Sequence, residues 1–140
     1  TYYTPFEAYD ESEQHDKYPL YHYCERTRWH LHTQYNHAPV LRELDPEPYL
    51  RMNPVDAEAR GIAEGDYVEA YNDRGHCVCK AKFDMGVRPG MVSSPKGWHR
   101  GAYVAGSYQE LTCDHLNLLH MNTSFDDTLV EVRKYEGEVR

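Results

Sequence analysis

The passage 67–83 constrains the fold most. In it Tyr67-Val68-Glu69-Ala70-Tyr71 and His76-Cys77-Val78-Cys79-Lys80-Ala81-Lys82-Phe83 flank Asn72-Asp73-Arg74-Gly75. Apolar and polar residues alternate in both arms, and side chains on an extended chain point alternately to its two faces. Two such runs around an Asn/Asp/Gly turn predict a β-hairpin with one face turned to a core. Cys77 and Cys79 share one face, where a free cysteine packs as a small apolar group.

The passage before the hairpin, 53–61, reads Asn-Pro-Val-Asp-Ala-Glu-Ala-Arg-Gly and predicts a helix with signals at both ends. Asn53 caps the first amides, Pro54 suits the first helical position, and Asp56 faces the positive end of the dipole. Arg60 suits the negative end and Gly61 supplies a left-handed stop. Further strands are expected at 19–24 and 49–52, after a turn within 87–92, and at 128–135. Residues 40–44 are expected to make one helical turn before Asp45-Pro46-Glu47-Pro48 ends it, since each proline restricts its predecessor. Short strands with short helices predict a mainly β fold, a small barrel.

At 140 residues the chain amounts to one domain. Its 15 basic and 23 acidic side chains give a net charge of −8. That balance argues against nucleic-acid binding, which is built from cations on phosphates, and leaves a nucleotide ligand to local dipoles. No apolar run approaches the roughly 18 residues of a membrane span, and no basic start leads into an apolar stretch. A soluble chain without membrane insertion, cytoplasmic or periplasmic, is the expectation. The four cysteines, Cys24, Cys77, Cys79 and Cys113, lack the paired Cys-x-x-Cys spacing of a structural zinc site. Residues 1–17 set Glu7, Asp10, Glu11, Glu13 and Asp16 against Lys17 and read as a linker or extended tail, or as a segment lying on another surface. The folded domain is expected over 18–140.

Residues 25–39 hold Arg26, Arg28, Trp29, His30, His32, Thr33, Gln34, Asn36 and His37 with little apolar periodicity, the composition of a functional loop. His30 and His32 would share one side of an extended segment, yet no carboxylate or cysteine beside them completes a ligand set. Hydrogen bonding to an anionic ligand, or plain surface exposure, is favoured over a metal for His30, His32 and His37. The chain has no Gly-x-Ser-x-Gly elbow, no Gly-x-Gly-x-x-Gly and no Walker loop, so no catalytic residue is assigned.

Taken in order, several segments form a series. They are Tyr-Pro-Leu at 18–20, Arg-x-x-x-His-Thr-Gln at 28–34, Asn-Pro-x-Asp-Ala-x-x-Arg-Gly-Ile at 53–62, Glu-Gly-Asp-x-Val at 64–68 and Asn-Asp-Arg-Gly at 72–75. The series continues with Arg-Pro-Gly-Met-Val at 88–92, Lys-Gly-Trp-His at 96–99, Leu111-Thr112 with Asp114, and Val-Glu-Val-x-Lys-Tyr at 130–135. Over roughly 18–140 this resembles the C-terminal dinucleotide-binding domain of molybdopterin oxidoreductases of the dimethyl-sulfoxide-reductase type.

The resemblance implies a double-psi β-barrel and binding of the guanine dinucleotide part of a bis(molybdopterin guanine dinucleotide) cofactor that carries molybdenum or tungsten. It places Arg28, His30, His32, Thr33 and Gln34 on the loop that reaches the cofactor, where they offer cationic, hydroxyl and amide groups. Asn53 and Asp56 would approach the guanosine end, with helix capping as the rival reading of both. Trp98 and His99 fall on the aromatic loop near the cofactor, and Gln109, Leu111 and Thr112 match an Asn-x-Leu-Thr element. Gln109 stands where asparagine is usual and Thr33 where serine is. The metal ligand and the iron–sulfur motif of the family would lie elsewhere, so the chain is not expected to be catalytically competent alone. Its expected partners are the remaining domains of a catalytic subunit, together with an electron-transfer subunit. The sequence is accordingly expected to be a C-terminal piece of a longer chain whose part in mechanism is to position the cofactor. Two rivals are a cofactor-free double-psi barrel acting as a protein-binding module and a stand-alone metal-binding protein. The loop at 28–34 favours the cofactor reading over the first, and the second would require stoichiometric metal in the purified domain.

Overall fold

In the computed structural model, the described residues are Glu7, 13–119, 121–123 and 126–139. Helix α1 (Glu13–Lys17) precedes strand β1 (Leu20–Glu25), and α2 (Pro39–Leu44) leads to β2 (Tyr49–Met52) and α3 (Pro54–Glu58). The hairpin is β3 (Tyr67–Tyr71) and β4 (His76–Phe83), followed by β5 (Met91–Pro95), the short β6 (Ala105–Gly106), β7 (Leu116–Asn117) and β8 (Asn122–Thr123), and β9 (Thr128–Lys134). The hairpin forms where alternation places it, with Cys77 and Cys79 buried and β3 paired antiparallel to β4 from Tyr67↔Lys80 to Tyr71↔His76.

The end of α3 follows expectation, whereas strand β5 reaches beyond it. The helix at 53–61 ends in the expected left-handed stop: Ile62 N–H bonds to Ala57 O and Gly61 N–H to Glu58 O, a Schellman closure with Gly61 at φ +65°. Arg60 donates to Asp56 O of the same helix and also pairs with the Glu131 carboxylate. Strand β5 starts at Met91, after a turn closed by Gly90 at φ +84°, and continues through Ser93, Ser94 and Pro95. Ser93 and Ser94 are polar in sequence yet buried, because Ser93 Oγ–H donates to Glu25 and Ser94 Oγ lies 2.5 Å from His22 Nε2.

Strands β2-β5-β1-β9-β3-β4 form a closed six-strand barrel, shut by pairing β2 with β4. Strand β1 runs parallel to β5 from Tyr21↔Met91 to Glu25↔Pro95, and β2 runs parallel to β4 from Tyr49↔Lys80 to Met52↔Phe83. The pairs β1–β9, β3–β9, β3–β4 and β2–β5 are antiparallel. It follows that β1, β3 and β5 point to one rim and β2, β4 and β9 to the other. The rim reached by β1, β3 and β5, here the upper rim, carries 26–48, the 72–75 turn and 96–104. The lower rim carries 53–66 and 84–90. Among the described residues no helix is long and apolar enough to cross a membrane.

Leu20, Leu50, Met52, Val68, Val92, Val130 and Val132 fill the interior and are almost fully buried, each worth roughly 1.5–3 kcal/mol. Toward the upper rim the lining turns polar. His22 is fully buried, its ring 5.6 Å from that of Tyr108, and it faces Thr128 across the β1–β9 register. Burial holds its pKa down to about 4, with the charge of Asp126 opposing. An unfolded histidine titrates near 6.5, so between there and about 4 the unfolded chain binds the extra proton and stability falls as pH drops. Urea unfolding midpoints taken at about pH 7 and about pH 4.5 should therefore fall less for His22→Gln than for the parent chain. Equal falls would refute this role for His22.

Candidate functional site

Nine of the eleven site residues expected from sequence gather at the upper rim. The loop after β1 is built from local bonds: Thr27 Oγ1–H donates to His30 O, His30 Nδ1–H to His32 O at 2.8 Å, and Gln34 N–H to Leu31 O at 2.9 Å. This tight turn puts His32 at φ +52° and Tyr35 at φ +71°, conformations that side-chain-bearing residues adopt rarely and that cluster at ligand sites. His32, Thr33 and Gln34 end up exposed at its tip.

The loop after β5 packs directly beneath. Gly97 sits at φ +90°, and a Cβ there would stand 1.9 Å from His32 O, so glycine alone permits the approach. Asn36 Nδ2–H donates to Gly97 O at 2.6 Å and ties the two loops together. The rings of His30 and Trp98 meet edge to face at 5.2 Å. His30 Nε2 and Trp98 Nε1 are both buried without a hydrogen-bond partner, as is Asn36 Oδ1. Asp45 Oδ2 lies 3.7 Å from His30 Nε2, and burial raises the Asp45 pKa while the nearby histidine opposes. Native interiors leave few polar groups unpaired, so these three, on two loops in contact, mark a candidate site.

Arg28 lies over the Trp29 ring at 5.1 Å, beside an open cleft of about 260 Å³ also lined by Arg26, Arg51 and Lys82. His99 is exposed at the start of the short helical turn Arg100–Ala102, and Arg100 pairs with Glu110 at 3.1 Å. That pair joins the Trp98–His99 loop to the turn Tyr108–Glu110, which carries exposed Gln109. Thr112 Oγ1–H donates to Gln109 O at 2.9 Å.

Asn53 and Asp56 lie at the lower rim, with the length of β5 between them and the other nine. Asn53 Oδ1 caps α3 by accepting from Val55 N–H, and its Nδ2–H donates to Val87 O at 2.7 Å. Asp56 Oδ2 accepts from Gly90 N–H at 2.8 Å. Together they hold the 84–90 turn onto α3. Asn36 and Asp45 are site residues that the sequence does not single out. Asn36 stands within the loop marked by its composition, but the only signal at Asp45 is the prolines that follow it. Among the described residues, no group of three or more His, Cys, Asp or Glu is placed to hold a metal ion.

A family model described as "Molydopterin dinucleotide binding domain" matches residues 20–129. A Halobacterium salinarum protein named for the catalytic subunit of dimethyl sulfoxide reductase is 37% identical over 129 residues, 92% of this chain and 15% of that protein. Dimethyl sulfoxide reductase DmsA of Escherichia coli is 36% identical over 142 residues, 94% of this chain and 17% of that protein. The chain thus spans about a sixth of the length of these curated relatives. Among solved structures, acetylene hydratase from Pelobacter acetylenicus matches with a TM-score of 0.82 over 96% of this chain and 21% of that one, at 18% identity, which shows a shared fold.

The contact between the two loops can be tested at Gly97. Gly97→Ala should cost about 1–3 kcal/mol by urea unfolding and speed amide exchange at Leu31 and Gln34. Gly65→Ala, also at positive φ but with nothing within 4 Å of the added carbon, should cost only about 1 kcal/mol and leave those amides unchanged.

Proposed function

Because the chain belongs to the family of molybdopterin dinucleotide-binding domains, we propose that it grips the guanine dinucleotide part of a bis(molybdopterin guanine dinucleotide) cofactor within the catalytic subunit of a molybdenum or tungsten oxidoreductase. The observation that carries this reading is that the family match, 20–129, spans all nine upper-rim residues together with the buried, unpartnered Trp98 Nε1–H.

The residues present suit such a group. A dinucleotide brings two phosphates and many acceptors, and the rim offers cations at Arg26, Arg28, Arg51 and Lys82 beside donors on His32, Thr33, Gln34 and His99. In this proposal Arg28 and the turn 32–34 bind phosphate and pterin edges, His30 and Trp98 orient the ligand from below, and Gln109 and Thr112 close its other side. Asn53 and Asp56 serve indirectly by keeping the lower rim in register. Positive charge at one rim lets a chain of net charge −8 accept an anion. When bound, the cofactor supplies the metal that exchanges oxygen atoms or electrons with substrate, and this chain's residues hold it in place and limit water around it.

We also assign the barrel to the double-psi type, which is supported by the two parallel pairings, β1–β5 and β2–β4, in an otherwise antiparallel closed sheet. Residues 1–17 are proposed as a linker or extended tail and 18–140 as the binding domain. The proposed partners are the remaining domains of the catalytic subunit, together with an electron-transfer subunit.

Titrating the 140-residue chain with GMP while following backbone amide shifts tests the reading. Perturbations should cluster at 28–34 and 96–112, with weak affinity, because the whole cofactor would be gripped by several domains at once. Trp98→Phe, which removes the indole donor and keeps an aromatic ring, should weaken binding about tenfold. Shifts scattered over the barrel, or confined to the lower rim, would sink the assignment.

A further inference from the structure

The turn between β3 and β4 does more than reverse the chain. Arg74 uses both ends of its guanidinium: Nη1 and Nη2 donate to the Glu7 carboxylate at 2.5 and 3.1 Å, and Nε donates to Leu111 O at 2.8 Å. Glu7 is only 2% exposed, and its Oε2 also accepts from Leu129 N–H at 2.7 Å. Asn72 Nδ2–H donates to the same Leu111 O at 2.8 Å and to Leu129 O at 3.1 Å, while its Oδ1 accepts from the amides of Arg74 and Gly75. The Leu111 carbonyl therefore receives two donors, as many as it has lone pairs, and one of them is charged. Gly75 approaches so closely that a Cβ there would stand 2.8 Å from Glu110 Cβ.

We propose that Arg74, oriented by Glu7, is a positioning residue that sets segment 109–112 at the upper rim and so aims Gln109 and Thr112 at the ligand. The aiming rests on the reading that these two residues contact the cofactor. The holding of the segment rests on the bonds themselves. A planar fork suits this task because one rigid group reaches a carboxylate on one side and a carbonyl on the other. A lysine keeps the charge that Glu7 needs, but its single ammonium on a flexible stem does not reproduce the fork.

Arg74→Lys and Glu7→Gln in the full chain provide the test, since the first retains a counter-charge and the second retains a hydrogen-bonding shape. Amide exchange at Glu110 and Leu111, whose N–H groups bond to Ser107 O and Tyr108 O, should speed up about tenfold in Arg74→Lys and less in Glu7→Gln. Exchange at Val92 and Val130 should stay at the parent rate. With GMP as probe, Arg74→Lys should keep the shifts at 30–34, lose those at Gln109 and Thr112, and bind about tenfold more weakly. Parent-like exchange at Glu110 and Leu111, or an equal rise throughout the barrel, would overturn the proposal. A parent chain that ignores GMP would refute the cofactor-contact reading instead, and the exchange comparison would still decide whether Arg74 holds the segment.

Discussion

The parallel pairing of β1 with β5 is the interaction on which the rest of the molecule depends. Parallel neighbours end at the same rim, so the segments that follow Glu25 and Pro95 emerge side by side. Only then can Gly97 come under His32, Asn36 reach Gly97 O, and Trp98 meet His30. An antiparallel pairing of the same strands would send the two loops to opposite ends. The buried serines of β5 belong to this arrangement, because Ser93 and Ser94 bond to Glu25 and His22 on the neighbouring strand.

The two rims differ in how completely their polar groups are satisfied. At the lower rim Asn53 and Asp56 spend their side chains on the backbone of Val55, Val87 and Gly90. At the upper rim His30, Asn36 and Trp98 keep buried polar atoms without partners, and His32 and Tyr35 hold uncommon backbone conformations. Unpaired groups and strain both lower stability, so a fold retains them where they meet something else. This uneven satisfaction of the two ends is what the proposed placement of the ligand at the upper rim draws on.

Legibility in the sequence followed the range of the forces involved. The hairpin of β3 and β4, strand β2 and most of β9 could be read because alternation is local, and the start of α3 because Asn53 and Pro54 act within one turn. The far half of β5 was missed, since the strand character of Ser93 and Ser94 comes from burial between neighbours remote in sequence. Burial of Glu7 was equally invisible: its partners are Arg74 and Leu129. In the site, composition alone marked the loop at 25–39, whereas Trp98, His99, Gln109 and Thr112 entered through resemblance to a family. Asp45 read only as the start of a proline break and proved to be a buried neighbour of His30.

The sequence by itself determined the mainly β character, the hairpin and its buried cysteines, the capped start of α3 and a loop rich in donors, because each depends on side-chain alternation or on contacts a few residues apart. The order and direction of strands decided which rim each loop occupies. Asn53 and Asp56 sit in the same motif series as His32 and Trp98, yet they stand at the opposite end of β5, and nothing in the local pattern of a strand says which way its neighbour runs. That choice belongs to the closed barrel, where β2 pairs with both β4 and β5 and each strand's direction is set by the need to shut the sheet without an open edge.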